Sequence, residues 1–340
     1  MGNQAPRLCI SMGDPAGVSA ELLAKLLSRA DLMARAAIAV MGDRRILAAG
    51  EKVASVALDL PVVGIAEFDR ATVGKPVFVD LGHDLDLATI PRGEATAAGG
   101  AFAMRNFREA LLLAKAGKVD GIMFMPFNKL ALKKAGNPYP DEIRWAADVL
   151  DWKGPCSEYN RLDKLWNARV TSHEPLSAVA GMLTRERILA AIEATATTLI
   201  GAGLAQPRIA VAAFNPHAGE GGTFGREEID VIAPAVQEAQ SRGLAVEGPF
   251  PADTVWIRAR RGDYDAVLSM YHDQGQIALK LLGFERGVTI LGGLPVPITT
   301  PAHGTAYDIA GRGIADPSAA IQAFETLLAL TAMRTARAAA

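Results

Sequence analysis

Apolar residues along this chain form short continuous runs, separated by longer segments in which they recur every three to four positions. The short runs lack the alternation of half-exposed strands, so they predict strands covered on both faces. Six strands are predicted, at residues 7–11, 36–42, 119–125, 168–172, 208–214 and 265–271. Helical periodicity is clearest at residues 99–117, 184–203 and 226–243, with Thr184 as an N-cap and Gly243 as a C-terminal stop. This alternation predicts an α/β fold with a largely parallel sheet.

Histidines follow three of the predicted strands. His173 comes directly after residues 168–172, His217 lies in the "NPHAGEGG" stretch after 208–214, and His272 follows 265–271. The carboxyl ends of parallel strands share one edge of a sheet, which is where ligands bind in open α/β folds. The whole chain has only five histidines, so the pattern predicts a ligand site at this edge.

Two interpretations of these histidines are open. Neutral imidazole is a common metal ligand, and neighbouring carboxylates such as Glu174 and Asp273 can orient it, which favours a metal site. Alternatively, each histidine is a helix cap or a buried core residue. The three are too far apart in sequence to form a motif such as HExxH, so spacing alone does not decide between the two.

Composition narrows the class of protein. The chain has 340 residues, of which 50% are hydrophobic and 21% charged, with a formal net charge of −2. These values are typical of a soluble globular protein of about two domains and argue against a general nucleic-acid binder. Two cysteines, no signal-peptide pattern and no long apolar run predict a cytoplasmic protein.

Two glycine-rich stretches are candidates for binding anions or nucleotides. Residues 215–228, "NPHAGEGGTFGREE", could bind an anion through backbone N–H groups, although the stretch matches neither a P-loop nor G-x-G-x-x-G. The alternative is an ordinary loop that requires positive φ angles. Residues 301–321, "PAHGTAYDIAGRGIADPSAAI", form a turn-rich segment that could hold a nucleotide.

Seven stretches occur in the order expected of the PdxA family, the NAD-dependent 4-hydroxythreonine-4-phosphate dehydrogenases and their relatives. They are "SMGDPAGV", "MPFNKLALKKAG", "VTSHEPL", "FNPHAGEGG", "GPFPADT", "MYHDQGQIALK" and "HGTAYDIAGRGIAD". The resemblance implies a three-layer α/β/α subunit of the isocitrate/isopropylmalate-dehydrogenase type, with two subdomains around a cleft. It also implies a homodimer with shared active sites. The expected nucleotide-binding subdomain is 1–125 plus 285–340, and the metal, substrate and dimerisation subdomain is 126–284.

The resemblance also implies roles for individual residues. The expected metal ligands, contributed by both subunits, are His173, His217 and His272. The expected catalytic residues are Lys280, Asp253 and Asp273. The expected NAD contacts are His303, Gly304, Thr305, Ala306, Asp308 and Gly311. The divalent metal is open: imidazole suits zinc, cobalt or nickel, while carboxylate and substrate oxygens admit magnesium or manganese.

The chain departs from the family pattern where the substrate is expected. The family's "YPGHTE" is replaced around Asp141, and its substrate-binding Asn and Arg are replaced by Thr289 and Ile298. Each lost charged hydrogen bond removes about 1.5–3 kcal/mol, and Asp141 would repel a phosphate. We therefore expect an unphosphorylated substrate, such as the cis-dihydrodiol carboxylate of the terephthalate branch, which is oxidised β to its carboxylate and decarboxylated.

Three alternatives are open. The first is the 4-hydroxythreonine-4-phosphate reaction itself, with Arg144 or Arg286 supplying the missing contacts to phosphate. The second is a metal-dependent lyase or hydrolase without a redox step. The third is a non-catalytic ligand-binding protein in which the histidines are structural.

Overall fold

The structure is a computed structural model that describes residues 5–338. The chain forms two compact units: the first comprises Met1–Gly154 and Leu294–Ala340, and the second Pro155–Gly293. The described residues contain twelve strands: β1 (Arg7–Ser11), β2 (Ala37–Gly42), β3 (Val62–Val63), β4 (Val77–Asp80), β5 (Gly121–Phe124), β6 (Ser157–Leu162), β7 (Leu165–Arg169), β8 (Ile209–Ala212), β9 (Val246–Phe250), β10 (Ala266–Ser269), β11 (Val288–Gly292) and β12 (Ile298–Pro301). They also contain twelve α-helices: α1 (Ser19–Leu27), α2 (Ala30–Met33), α3 (Arg44–Ala54), α4 (Ala97–Lys115), α5 (Lys129–Lys134), α6 (Glu142–Val149), α7 (Leu176–Met182), α8 (Arg185–Gly201), α9 (Ala233–Ser241), α10 (Ala252–Arg260), α11 (His272–Gly283) and α12 (Ser318–Ala338).

The first unit contains a parallel sheet with the strand order β3-β4-β2-β1-β5-β12. Its strand β5 is covered on both faces. Gly121 lies against Leu327 of α12, whereas Phe124 packs against Phe107 of α4 with ring centroids 4.8 Å apart. Odd and even positions of a strand face opposite sides, so helices cover both faces of this sheet. This explains why β1 and β5 are almost uniformly apolar.

The second unit contains a mixed sheet with the order β11-β6-β7-β10-β8-β9. Strands β11, β6 and β7 pair antiparallel, and the remaining neighbours are parallel. Helices α10 and α11 pack on this sheet through a buried cluster in which Val255, Trp256 and Leu279 join Ala210 and Val267. The sheet and its helices therefore have a hydrophobic core of their own.

The predicted α/β class is confirmed, and several predicted elements agree closely with the structure. Strand β1 spans the predicted residues 7–11, and the Thr184 side chain caps α8 by accepting a hydrogen bond from the Arg187 N–H at 3.2 Å. Gly243 has a φ of 84° just beyond α9. The strand predicted at 168–172 was misplaced, because β7 ends at Arg169. The helix predicted at 226–243 begins instead as a π-helical turn, Glu228–Ile232.

The limits of the units have a physical basis in packing. Helices α5 and α6 pack on α4, and a Cβ atom on Gly100 of α4 would lie only 2.1 Å from the Ala131 carbonyl oxygen. Residues after 125 therefore stay with the first unit as far as 154, while β11 stays with the second through its pairing with β6. The functional roles expected of the two subdomains remain predictions.

Within residues 5–338, no helix has the length and apolarity needed to cross a membrane.

Candidate active site

His173 and His272 lie close together in the second unit. The segments that follow β7 and β10 remain paired, because the Thr171 N–H donates to the Met270 carbonyl oxygen at 3.1 Å. This pairing carries both histidines to the carboxyl edge of the sheet, where their ring centroids are 5.3 Å apart. His173 is exposed and His272 is half-buried, so both rings are accessible to a ligand.

The surroundings of His272 fit a metal ligand. This residue begins α11, and its Nδ1 lies 2.7 Å from the Asp273 carboxylate. When Nδ1 carries the proton, Asp273 accepts it in a hydrogen bond and the lone pair of Nε2 is left for a cation. A carboxylate–histidine pair beside a second imidazole is the donor chemistry that divalent transition metals prefer.

His217 occupies an unusual loop. Five consecutive residues, from His217 to Gly221, have φ between 42° and 78°, which is the left-handed region. For the non-glycine residues among them, this conformation costs roughly 1–2 kcal/mol each. Such strain persists only where surrounding contacts impose it, and it is concentrated at functional sites.

The second unit does not bring all three histidines together in one subunit. Within the part of the chain that the structure describes, no group of three His, Cys, Asp or Glu residues could hold a metal ion. The structure thus unites His173 with His272, whereas the ring near His217 is that of Phe224, with centroids 6.1 Å apart. The role of the three histidines as metal ligands remains a prediction.

The predicted acidic residues share one groove. Asp253, in the first turn of α10, and Asp273 both line a groove of about 580 Å³ between α10 and α11. Its other side chains are largely apolar, and they include Ile277 and Leu281, which are 58% and 83% exposed. Lys280 also lies exposed on α11. An apolar groove this exposed is typical of an interaction surface.

The three predicted substrate positions have structural surroundings that the sequence did not reveal. Asp141 caps α6 by accepting the Arg144 N–H at 2.9 Å, and its carboxylate also pairs with the Arg144 guanidinium at 2.5 Å. The Thr289 hydroxyl accepts a hydrogen bond from the Asn160 amide at 3.0 Å. Ile298 has no exposed surface. The negative charge of Asp141 is therefore already compensated, and Ile298 offers no surface to a substrate.

A buried polar network links α11 to the sheet. The Arg169 side chain is 1% exposed, pairs with Glu158 at 3.1 Å and donates to the Asn160 side-chain oxygen at 2.8 Å. Gln276 of α11 donates to the same oxygen at 2.5 Å. The network fixes α11 relative to β6 and β7, and it therefore fixes the helix that carries Lys280.

In the first unit, β12 and the loop after it have unsatisfied polar groups. His303 Nε2 and the Thr300 hydroxyl are buried and have no hydrogen-bond partner among the described residues. The other ring nitrogen of His303 lies 2.9 Å from the Gly304 carbonyl oxygen. A Cβ atom on Gly304 would meet nothing within 4 Å, so open space adjoins these groups. Buried polar atoms normally have partners, so this loop fits a polar ligand such as a nucleotide.

The rest of the predicted nucleotide segment packs against the "GDPAG" loop. The Thr305 carbonyl oxygen accepts the Val18 N–H at 3.0 Å, and a Cβ atom on Gly17 would lie 2.5 Å from that oxygen. Gly17 and Gly311 line a cavity of about 200 Å³ together with Arg92. Two further predicted residues lie between Thr305 and Gly311: Ala306, which has a φ of 44°, and the exposed Asp308.

An acidic residue that the sequence reasoning missed lies beside this segment. The Tyr307 hydroxyl donates to the Asp14 carboxylate at 2.6 Å, and the Ala16 N–H donates to its other oxygen at 2.8 Å. Burial raises the pKa of Asp14, and burial together with the hydrogen bond to Asp14 raises the pKa of Tyr307. Asp14 lies within the stretch "SMGDPAGV" that carries the family resemblance, but no sequence signal pairs it with Tyr307.

The chain is similar to known proteins over most of its length. A family model described as pyridoxal phosphate biosynthetic protein PdxA matches residues 34–327. The chain belongs to the PdxA family. A Rhizobium meliloti relative, named putative 4-hydroxythreonine-4-phosphate dehydrogenase 2, is 56% identical over 318 residues, covering 94% of this chain and 91% of the relative. The D-threonate 4-phosphate dehydrogenase of Cupriavidus necator is 40% identical over 325 residues, covering 95% and 96% of the two chains.

Solved PdxA structures share this fold. The crystal structure of 4-hydroxythreonine-4-phosphate dehydrogenase from Klebsiella pneumoniae has a TM-score of 0.79 and 34% identity, covering 96% of this chain and 99% of that one. A terephthalate 1,2-cis-dihydrodiol dehydrogenase from Burkholderia xenovorans is less similar, with a TM-score of 0.64 and 27% identity, covering 96% and 98%. The dehydrogenase class predicted for the chain is supported by all four of these PdxA-related proteins.

The prediction of an unphosphorylated, terephthalate-type substrate was wrong. The relatives with the higher identities are named for phosphorylated substrates, and the terephthalate enzyme is more distant. The error came from counting lost contacts position by position. Asp141 was expected to repel phosphate, but Arg144 neutralises it in the structure.

Proposed function

We propose that this PdxA-family chain is an NAD- and divalent-metal-dependent dehydrogenase whose substrate is a four-carbon hydroxy acid phosphorylated at C4. The observation that carries the proposal is the 56% identity, over nearly the whole chain, to a protein named for 4-hydroxythreonine-4-phosphate. The accessible pair His173 and His272, with Asp273 beside it, supports the metal-dependent part.

4-Hydroxythreonine-4-phosphate and D-threonate 4-phosphate are chemically close. Both carry a hydroxyl on C3, β to the carboxylate, and a phosphate on C4, and they differ in the amino or hydroxyl group on C2. Oxidation of the C3 hydroxyl gives a β-keto acid in either case, which then loses carbon dioxide. We favour the amino compound because the relative named for it is the more similar, and the D-threonate enzyme of Cupriavidus necator makes the hydroxy compound the second candidate.

Each part of the site has a task in this reaction. His173, His272 and His217 would hold the metal, which when bound lowers the pKa of the substrate hydroxyl and stabilises the enolate left by decarboxylation. Asp273 keeps the His272 ring oriented. Lys280 supplies a positive charge for the carboxylate or phosphate and can relay a proton. The loop after β12 would bind NAD, which accepts the hydride.

We further infer that the active enzyme is a homodimer whose subunits share ligands. The groove between α10 and α11 supports this inference, because Ile277 and Leu281 are exposed on the helix that begins at His272. The separation of His217 from the other two histidines also supports it, since a second subunit can complete a site that one chain leaves partial.

We propose a cytoplasmic location from the cysteines. Cys9 and Cys156 are the two cysteines of the chain, and neither forms a disulfide among the described residues, as expected of a reducing compartment.

The proposal is tested by NADH formation with Mn²⁺ or Zn²⁺ present. We expect kcat/KM to be at least about a hundredfold higher for one of the two 4-phosphates than for its unphosphorylated counterpart, since a phosphate makes several charged hydrogen bonds. A chelator should abolish turnover and leave NAD binding intact. Equal turnover of phosphorylated and unphosphorylated acids would contradict the proposed substrate class, and turnover without NAD would contradict the redox step.

A further inference from the structure

The left-handed turn that carries His217 is held from beneath by a buried acid. Glu228, at the start of the π-helical turn, is 3% exposed. One of its carboxylate oxygens accepts the N–H groups of Phe214 and Asn215 at 2.8 and 2.7 Å, and the other accepts the Asn215 side-chain amide at 3.0 Å. The same amide also donates to Glu227 at 2.6 Å, so the two backbone N–H groups are the contacts that Glu228 alone supplies. The backbone leading into the turn is thus fixed two residues before His217.

The charge of Glu228 is satisfied by these donors alone. Among residues 5–338, no lysine, arginine or histidine forms an ion pair with it. Three N–H donors on one carboxylate are the means by which a protein keeps a buried negative charge without a cation.

Two glycines let the loop close onto this arrangement. A Cβ atom on Gly219, where φ is 78°, would lie 2.7 Å from the Glu228 carboxylate. A Cβ atom on Gly225, where φ is 133°, would lie 2.3 Å from the Asn215 amide nitrogen. Gly219 of the left-handed turn therefore lies directly against Glu228, and Gly225, beyond the turn, lies against Asn215. The π-helical turn that presents Glu228 is itself a feature found frequently at functional sites.

We propose that Glu228 is a positioning residue for the metal site: acting through Asn215, it imposes the left-handed turn and so fixes the direction of the His217 imidazole. The proposal rests on the proposed function, in which His217 is a metal ligand. Glu228 itself touches neither metal nor substrate. Its effect is expected on the affinity for metal, because an imidazole that is not already oriented loses conformational entropy when it binds, and this weakens binding.

The test is Zn²⁺ binding to the metal-free, full-length protein, measured by isothermal titration calorimetry on Glu228→Gln. Glutamine keeps the shape and one acceptor oxygen, but its NH₂ group cannot accept the Asn215 amide. We expect the affinity for Zn²⁺ to fall about 10- to 100-fold. We also expect kcat to recover at saturating metal and NAD affinity to stay unchanged. Metal rescue separates positioning from a general loss of structure.

Two further variants complete the design. Asp230→Asn is the matched control, because Asp230 lies in the same π-helical turn but is exposed and pairs with Arg226. Its affinity for Zn²⁺ should stay within twofold of wild type. Gly219→Ala leaves Glu228 intact and pushes the turn off it, so it should reproduce the loss of affinity even if Glu228→Gln folds poorly.

The outcomes are distinct. Weaker metal binding in Glu228→Gln and Gly219→Ala, with Asp230→Asn unaffected, supports the proposal. Wild-type affinity in both, while His217→Ala loses binding, overturns the positioning role and leaves the proposed function standing. Unchanged Zn²⁺ binding in His217→Ala overturns the assignment of His217 as a ligand and this proposal with it.

Discussion

The Arg169 guanidinium is almost completely enclosed and its partner Asn160 is buried, whereas the side chain of its other partner, Glu158, is 23% exposed. Removing one member of such a pair leaves the other without compensation, which costs about 3–5 kcal/mol. Surface pairs behave differently, because water replaces the lost partner and the net contribution is small. The loss of stability when a charged residue is removed from this protein is therefore expected to increase with the burial of its ion pair.

We expect Arg169→Ala to lower the free energy of unfolding by about 3 kcal/mol, the lower end of the range for buried pairs, because Glu158 would lose its cation but is partly reached by water. The control is Arg29→Ala, which breaks the exposed pair with Asp31 and should change stability by no more than about 0.5 kcal/mol. Urea unfolding followed by circular dichroism measures both. Similar losses in the two variants would show that the buried network contributes nothing special.

His83 makes stability depend on pH. Its ring packs against Phe102 with centroids 4.6 Å apart, and its Nε2 lies 2.8 Å from the Asn106 side-chain oxygen. Burial lowers the pKa of His83 below its ordinary value of about 6.5. At pH values between the lowered pKa of the folded chain and the ordinary pKa of the unfolded chain, the unfolded chain binds more protons than the folded one. The contribution of His83 to the free energy of unfolding is thus present above about pH 6.5 and is lost as the pH falls through the lowered pKa.

We therefore expect the melting temperature of the wild type to decrease when the pH is lowered from 7 to 5. The melting temperature of His83→Gln should decrease less over the same range. Glutamine can still donate to Asn106 and does not titrate. Differential scanning calorimetry at half-unit pH steps measures the slopes. Parallel slopes for the two proteins would rule His83 out as their source.

At the scale of elements, the contact between α4 and α5 depends on the absence of a side chain. Gly100 lies so close to the Ala131 carbonyl oxygen that a methyl group has no room. We expect Gly100→Ala to destabilise the protein by about 1–3 kcal/mol, because α5 must move outward. Gly181→Ala in α7 is the matched control: nothing lies within 4 Å of the added atom, so helix propensity should stabilise it by about 0.5–1 kcal/mol. Thermal unfolding distinguishes the opposite signs.

Parallel strands such as β1 and β8 were predictable from sequence because burial on both faces leaves a continuous apolar run. The parallel strands β3, β4, β9 and β12 were not among those predicted. The antiparallel strands were not. Strands β6 and β7 carry Asn160 and Arg169, which are buried but polar, because they satisfy each other across the sheet. A pattern based on hydrophobicity predicts that such polar residues are exposed. Their burial is visible only when the partner strand is known.

The candidate site was predictable to a similar degree. Strand ends placed His173 and His272 correctly on one edge, because parallel pairing between neighbours does not depend on loop details. The pair formed by Asp14 and Tyr307 was not predictable, since it joins segments far apart in the chain. The direction of His217 depends on dihedral angles that no periodicity records.

At the scale of the whole molecule, the exposed groove between α10 and α11 predicts association. We expect Leu281→Glu to convert a dimer into a monomer and to abolish turnover, because a buried charge at an interface is uncompensated and shared ligands are lost. The control is Leu130→Glu on α5, where the leucine is also more than half exposed. Size-exclusion chromatography with light scattering measures mass. An unchanged mass for Leu281→Glu would place any interface elsewhere.

The pairing of β6 with β11 has a consequence for engineering the chain. Ser157, near the start of the second unit, lies opposite Gly292 near its end, so the chain enters and leaves this unit side by side. A segment whose two ends lie close together suits transfer into another chain as one piece, because the break in the receiving chain has to span only a short distance. The second unit has this anatomy, and a transferred copy would carry both His173 and His272.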